Sequence, residues 1–154
     1  MKKLLMIVGF LFVSAFAFSQ NIYTTMQPVM DSMQSVIKIV EANKLEIVRI
    51  EMDIVRKDVP KTSFRILTKG YTYRVGVFAD WRLEDVDIEI YKQMSDGNYV
   101  FVGRDNKVSP IAMVDFTTEE TTWYKFVVIG YKFVSPYDSG HYGLVVLHGP
   151  QLTQ

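Results

Sequence analysis

After Lys44 the hydrophobic residues fall into short runs, several of them alternating at every second position, whereas before Lys44 they recur at every third or fourth. This change of period limits the fold more than any composition figure does. Alternation sends successive side chains to opposite faces of a strand, while steps of three and four line one side of a helix. In the first run, Val48, Ile50, Met52 and Ile54 alternate with Arg49, Glu51, Asp53 and Val55, which predicts a half-buried strand. Pro60, in the turn Asp58-Val59-Pro60-Lys61, stops it. Further strands are predicted at Ser63–Leu67, at Tyr71–Ala79 and around Val86, Ile88 and Ile90. Ser95-Asp96-Gly97-Asn98 is a strong hairpin signal, because Asp-Gly supplies the positive backbone angles of a tight turn. Tyr99–Gly103, Ile111–Thr117, Trp123–Tyr131 and His141–Leu147 complete the series, with turn chemistry at Glu119-Glu120 and Asp138-Ser139-Gly140. About eight short strands at regular spacing predict a mainly β fold, an antiparallel β-sandwich of jelly-roll type.

Upstream, Ile22, Met26, Val29, Met30, Met33, Val36, Ile37 and Val40 step by three and four between polar residues. One amphipathic helix is expected over about 22–43, ended by Asn43, with a later start at Pro28 as the alternative. Its apolar stripe needs a surface, either its own domain or a second copy, so the chain is read as a monomer or a helix-mediated homodimer.

The first nineteen residues differ from the rest. Met1-Lys2-Lys3 is a basic start, Leu4 to Phe18 carries no charge, and Ala17-Phe18-Ser19 places small residues before a cut at Gln20. This is the layout of a secretory signal peptide, and the apolar run falls short of the roughly 20 residues that span a bilayer. An exported protein is expected, periplasmic or secreted, with no membrane span after cleavage. No cysteine stands at the cut, which removes a lipid anchor, and the chain has no cysteine anywhere for disulfides or thiolate metal sites. The expected organisation is a signal peptide at 1–19, a helix at 20–44, one sandwich domain at 45–149 and a tail at 150–154. The whole chain has 17 basic and 17 acidic residues, and losing Lys2 and Lys3 leaves 15 against 17. Neither balance gives an electrostatic footprint for nucleic acid.

The segment Gly70-Tyr71-Thr72-Tyr73-Arg74-Val75, with Phe78-Ala79-Asp80 and Glu84-Asp85-Val86-Asp87-Ile88-Glu89-Ile90-Tyr91, resembles bacterial pre-peptidase C-terminal-like β-sandwich domains. So do Trp123-Tyr124-Lys125-Phe126-Val127-Val128 and Gly140-His141-Tyr142-Gly143-Leu144-Val145-Val146; the likeness covers about residues 64–147. The resemblance implies a secreted accessory module, often attached to exported hydrolases, that aids maturation or binds substrate polymers. Here no catalytic domain accompanies it, and Trp81 and Arg82 stand in a loop that is usually small and acidic. A free-standing, non-catalytic binding or assembly module is therefore expected, with an unknown protein or polysaccharide as partner. The alternative is a calcium-stabilised accessory protein for a separately encoded secreted hydrolase.

Asp80, Glu84, Asp85 and Asp87 form the densest carboxylate group, with Asp105 and Asp115 on later elements. Calcium takes six to eight oxygen ligands, and such a loop is a candidate calcium site; a solvated acidic loop whose aspartates bond turn amides is the other reading. No other cofactor is indicated. His141 and His148 are seven apart, so an unbroken strand sends them to opposite faces, which makes them poor joint metal ligands. No nucleophile elbow, zinc helix or phosphate loop occurs, so no catalytic residue is assigned. The aromatic residues on strands are expected to serve the core or cross-strand pairs. Trp81 and Arg82 are the exception, either an exposed contact for a partner or glycan or a cover for one end of the sandwich.

Overall fold

The computed structural model describes residues 26–149; the predicted signal peptide, residues 20–25 and the tail at 150–154 lie outside the described residues. One helix, α1 (Gln27–Ala42), precedes eight strands: β1 (Glu46–Arg56), β2 (Lys61–Leu67), β3 (Thr72–Ala79), β4 (Leu83–Gln93), β5 (Tyr99–Asp105), β6 (Ile111–Thr117), β7 (Thr122–Phe133) and β8 (Ser139–His148). They form two four-stranded sheets, ordered β1-β8-β3-β6 and β2-β7-β4-β5. The pairs β1·β8, β2·β7, β3·β6 and β4·β5 are all antiparallel, as if one long hairpin had been rolled into two layers. That is a jelly roll.

The midpoint of the rolled hairpin is the Asp96-Gly97 turn. Gly97 has φ +85, the Met94 amide donates to the Asn98 carbonyl at 2.8 Å, and Asp96 Oδ1 accepts from the Asn98 amide at 3.0 Å. Positive φ is free to glycine and strained for most other residues, so the strongest turn signal in the sequence sits where the whole topology reverses. Between the sheets Val75, Val77, Val86, Ile88, Ile90, Phe126, Leu144 and Val146 are fully buried. Tyr73, Tyr124 and Tyr142 fill the same core.

Helix α1 lies on the outer face of the β1-β8-β3-β6 sheet. Pro28 falls in its first turn, where the missing amide hydrogen has no intrahelical acceptor to lose. At its other end Lys44 takes φ +54, and the Leu45 and Lys44 amides donate to the Val40 and Glu41 carbonyls at 3.0 and 3.3 Å. This doubly bonded C-terminus brings Leu45 against Val40. Val29, Met33 and Val40 then pack on Val145 and Leu147, so the apolar stripe meets the chain's own domain. No helix among the described residues is long and apolar enough to cross a membrane.

Strand β1 departs from the simple alternating pattern. A register shift between Ile47 and Arg49 leaves Ile50, Met52 and Ile54 on the helix side of the sheet, each about two-fifths exposed, while Val55 enters the core. Arg49, Glu51 and Asp53 instead close the flank of the sandwich. Glu51 accepts from Arg49 and from Ser63 of β2, and Asp53 pairs with Lys61 at 2.9 Å. Inward-facing charges of this kind also discourage edge-to-edge pairing.

Candidate functional site

The acidic stretch at 80–87 spans the β3–β4 turn and the first half of β4. Asp80 is almost completely buried. Its Oδ1 accepts from the Arg82 amide at 2.9 Å, and its Oδ2 from Arg82 Nη2 at 2.6 Å and the His141 amide at 3.0 Å. Burial pushes this carboxyl up, but the Arg82 side chain together with the His141 and Arg82 amides more than offsets it and holds the group below the usual carboxylate range. Arg82 Nη2 also lies 3.0 Å from His141 Nδ1. The same ring nitrogen stands 3.3 Å from Asp80 Oδ2. The three side chains tie the end of β3, the start of β4 and β8 together.

Arg82 is thus not the exposed contact residue expected from the sequence. It is 4% exposed and turned inward, because a buried carboxylate at Asp80 requires a charged partner. Trp81, its neighbour, points the other way. It is 53% exposed and meets the ring of Tyr137, in the β7–β8 loop, edge-on at 5.1 Å.

The remaining carboxylates go to separate partners. Glu84 pairs with Lys132, and Asp85 Oδ1 accepts from the Ser109 amide at 3.2 Å. Asp105 accepts from the Lys107 and Met113 amides, and Asp115 takes a two-bond clamp from Arg74. Asp87 is 5% exposed, and its Oδ1 has no hydrogen-bond partner. Its carboxyl is pushed up to about 6, first by burial and then by the nearby Asp85 and Asp105. Asp80, Glu84, Asp85 and Asp87 are therefore not drawn to one point. Among the described residues no group of three or more His, Asp or Glu side chains is placed to hold a metal ion. His141 and His148 stand at opposite ends of β8.

A second surface is built on the outer face of the β2-β7-β4-β5 sheet. Tyr124, Phe126 and Val128 of β7 point into the core, so Trp123, Lys125 and Val127 point out. Register places Phe64 of β2, Lys125 of β7, Tyr91 of β4 and Phe101 of β5 in one row across all four strands. Trp123 follows beside Ile66 in the next row, and Tyr99 lies opposite Gln93. Phe101 is 57% exposed, Phe64 45% and Trp123 44%. The Tyr91 and Phe101 rings meet edge-on at 5.7 Å, and the Phe64 and Tyr99 rings, from the two edge strands, come within 6.0 Å. Lys125 Nζ lies 4.3 Å from the Tyr91 ring centre and 4.9 Å from that of Tyr99. Toward the far end of the face the side chains become charged: Glu89 accepts from the Tyr91 hydroxyl at 2.6 Å and lies 4.0 Å from Arg104.

Of the strand aromatics expected in the core, Tyr124 and Tyr142 are there, whereas Trp123 and Tyr131 stand half exposed. The signal for this in the sequence is that β7 has large apolar residues on both of its faces, as a strand in a covered sheet would. No helix among the described residues covers this sheet.

No family model matches the chain, and no curated protein matches it. Among solved structures it is similar to a surface-associated copper-binding protein of Methylomicrobium album BG8, with a TM-score of 0.55 at 11% identity over 65% of this chain and 93% of that one. It is also similar to a periplasmic inhibitor of g-type lysozyme from Aeromonas hydrophila, with a TM-score of 0.50 at 9% identity over 66% and 85% of the two chains. The pre-peptidase C-terminal domain of a Bacillus anthracis collagenase is a further similar structure, with a TM-score of 0.49 at 11% identity over 64% and 87%. At such identities the first two show a shared β-sandwich fold.

Proposed function

We propose that this protein is an exported, non-catalytic module that binds a polysaccharide on the open face of the β2-β7-β4-β5 sheet. The observation that carries this reading is that face itself: Phe64, Phe101 and Trp123 stand out into solvent, with Tyr91 and Tyr99 beside them, Lys125 among them, and a polar end at Glu89 and Arg104. Exposed apolar surface of this extent in a soluble domain marks an interaction site. A sugar ring has an apolar C–H face, which covers an aromatic ring, and a rim of hydroxyls, which suits side chains that donate and accept. Mixed aromatic and polar lining of this kind fixes both affinity and orientation. Export rests on the signal-peptide pattern of residues 1–19, and the sandwich fold is one used by periplasmic and surface-associated proteins.

Affinity electrophoresis of the purified protein through gels containing xylan, cellulose derivatives, pectate, alginate or chitosan tests the reading. Retardation by at least one polymer is expected, reduced tenfold or more in Trp123→Ala and Phe101→Ala and unchanged in Met113→Ser on the opposite sheet. Free migration in every gel, or retardation indifferent to the two aromatic substitutions, overturns it.

A further inference from the structure

We infer that the polysaccharide taken by this face is acidic, a uronate polymer whose carboxylates are received by Lys125. The inference rests on the glycan reading of the face and narrows it to one class. Lys125 occupies the middle of the aromatic row, between Phe64 on one side and Tyr91 on the other. Its ammonium is held over two rings, at 4.3 and 4.9 Å from their centres, so it is positioned without a counter-ion. Lys125 forms no salt bridge among the described residues, whereas Lys61, Lys92 and Lys132 each have a carboxylate partner within 4 Å. Nor do the carboxylates farther along the face neutralise it, because Glu89 is engaged by the Tyr91 hydroxyl and Arg104, and Asp87 stands beyond Glu89 on β4, opposite Ile129.

The face therefore combines rings for the apolar sides of pyranoses with one fixed, uncompensated positive charge among them. A neutral glycan satisfies the rings and leaves the charge unanswered. An acidic peptide answers the charge but lacks the broad C–H faces that cover Phe64, Phe101 and Trp123. A uronate residue supplies both from a single ring. The contribution of the charge is a screened, surface interaction, so salt weakens it, while the stacking on the rings is largely indifferent to salt.

The test uses the purified protein titrated with polygalacturonate and with alginate, each compared with its esterified, uncharged form, and with poly-L-glutamate as an anion without sugar rings. Expected is at least tenfold tighter binding of one acidic polymer than of its ester, a preference that shrinks as salt rises. Lys125→Met should abolish the preference, Lys125→Arg should keep it, and Phe101→Ala should weaken acid and ester alike. Equal binding of acid and ester, or a preference that survives Lys125→Met, overturns the acidic assignment and leaves the glycan reading standing. Poly-L-glutamate binding as tightly as the uronates overturns it in favour of an acidic protein partner. If neither uronate polymer binds in either form, the acidic assignment fails, and the glycan reading fails with it only if the protein also migrates freely through the xylan, cellulose and chitosan gels.

Discussion

The two sheets both carry apolar side chains on their outer faces, but among the described residues only one of them has a cover. Over β8, Val145 and Leu147 are 2% and 7% exposed because α1 lays Val29, Met33 and Val40 on them. Gly143 permits that approach: a Cβ there would meet Val29 Cγ1 at 2.9 Å and Met33 Sδ at 3.0 Å. Over β7 and β5, Trp123 and Phe101 remain about half exposed. Where the chain supplies its own cover, an apolar face contributes to stability. Where it does not, the same kind of face contributes little to stability and is free to bind. The cover is also incomplete, since Ile50, Met52 and Ile54 on β1 flank the helix rather than lie beneath it.

The largest effect should come from placing a charge beneath the cover. Val145→Asp buries a carboxylate with no partner under α1, and is expected to destabilise the protein by about 4 kcal/mol in chemical denaturation. Phe101→Asp, on the open face, should cost no more than about 1 kcal/mol. Equal losses at the two positions would break the distinction between a structural and a binding face.

The elements on both sides of this contrast are legible in the amino-acid sequence. All eight strands are visible from period-two or aromatic and β-branched runs between turn residues, and the jelly roll from their number and spacing, because these runs and Asp-Gly chemistry are local properties. The helix end at Asn43 is local as well. Which face of a strand looks inward is not local. For β1 the shift at Ile47/Arg49 changes the assignment, and for β7, with large residues on both sides, only the neighbouring sheet decides. The inward turn of Arg82 is hidden for the same reason: it depends on Asp80 being sealed by His141, from a strand 61 residues away in sequence. Membership of one loop tells which carboxylates are adjacent along the chain, not that Glu84, Asp85 and Asp87 each find a different environment.

An intermediate effect is expected at Asp87, a side chain on the open sheet that is nevertheless out of water. Its carboxyl is raised from 3.8 to about 6, so between these values the unfolded chain has released a proton that the native protein still holds. Stability should therefore fall as pH rises from about 4 to 6 and level off above that range. Asp87→Asn removes the unfavourable charge. It should stabilise the protein by about 2 kcal/mol at pH 7.5 and give no advantage at pH 3.5, measured as denaturation midpoints at both values. An advantage equal at both pH values would show that the benefit comes from packing and not from the charge.

The smallest effect on stability, and the sharpest for the comparison, belongs to Phe101→Ala. A fully buried phenylalanine costs about 3–5 kcal/mol when cut back to alanine, because its removal leaves a cavity and loses contacts on every side. Phe101 is 57% exposed and has an edge-on ring contact with Tyr91, so its removal opens no enclosed space. The loss should stay within about 0.5–1 kcal/mol, with an unchanged denaturation slope. Binding on the face should meanwhile fall tenfold or more. A stability loss of several kcal/mol would mean that Phe101 belongs to the fold; a small loss with weakened binding would mean that the ring is kept exposed for a ligand.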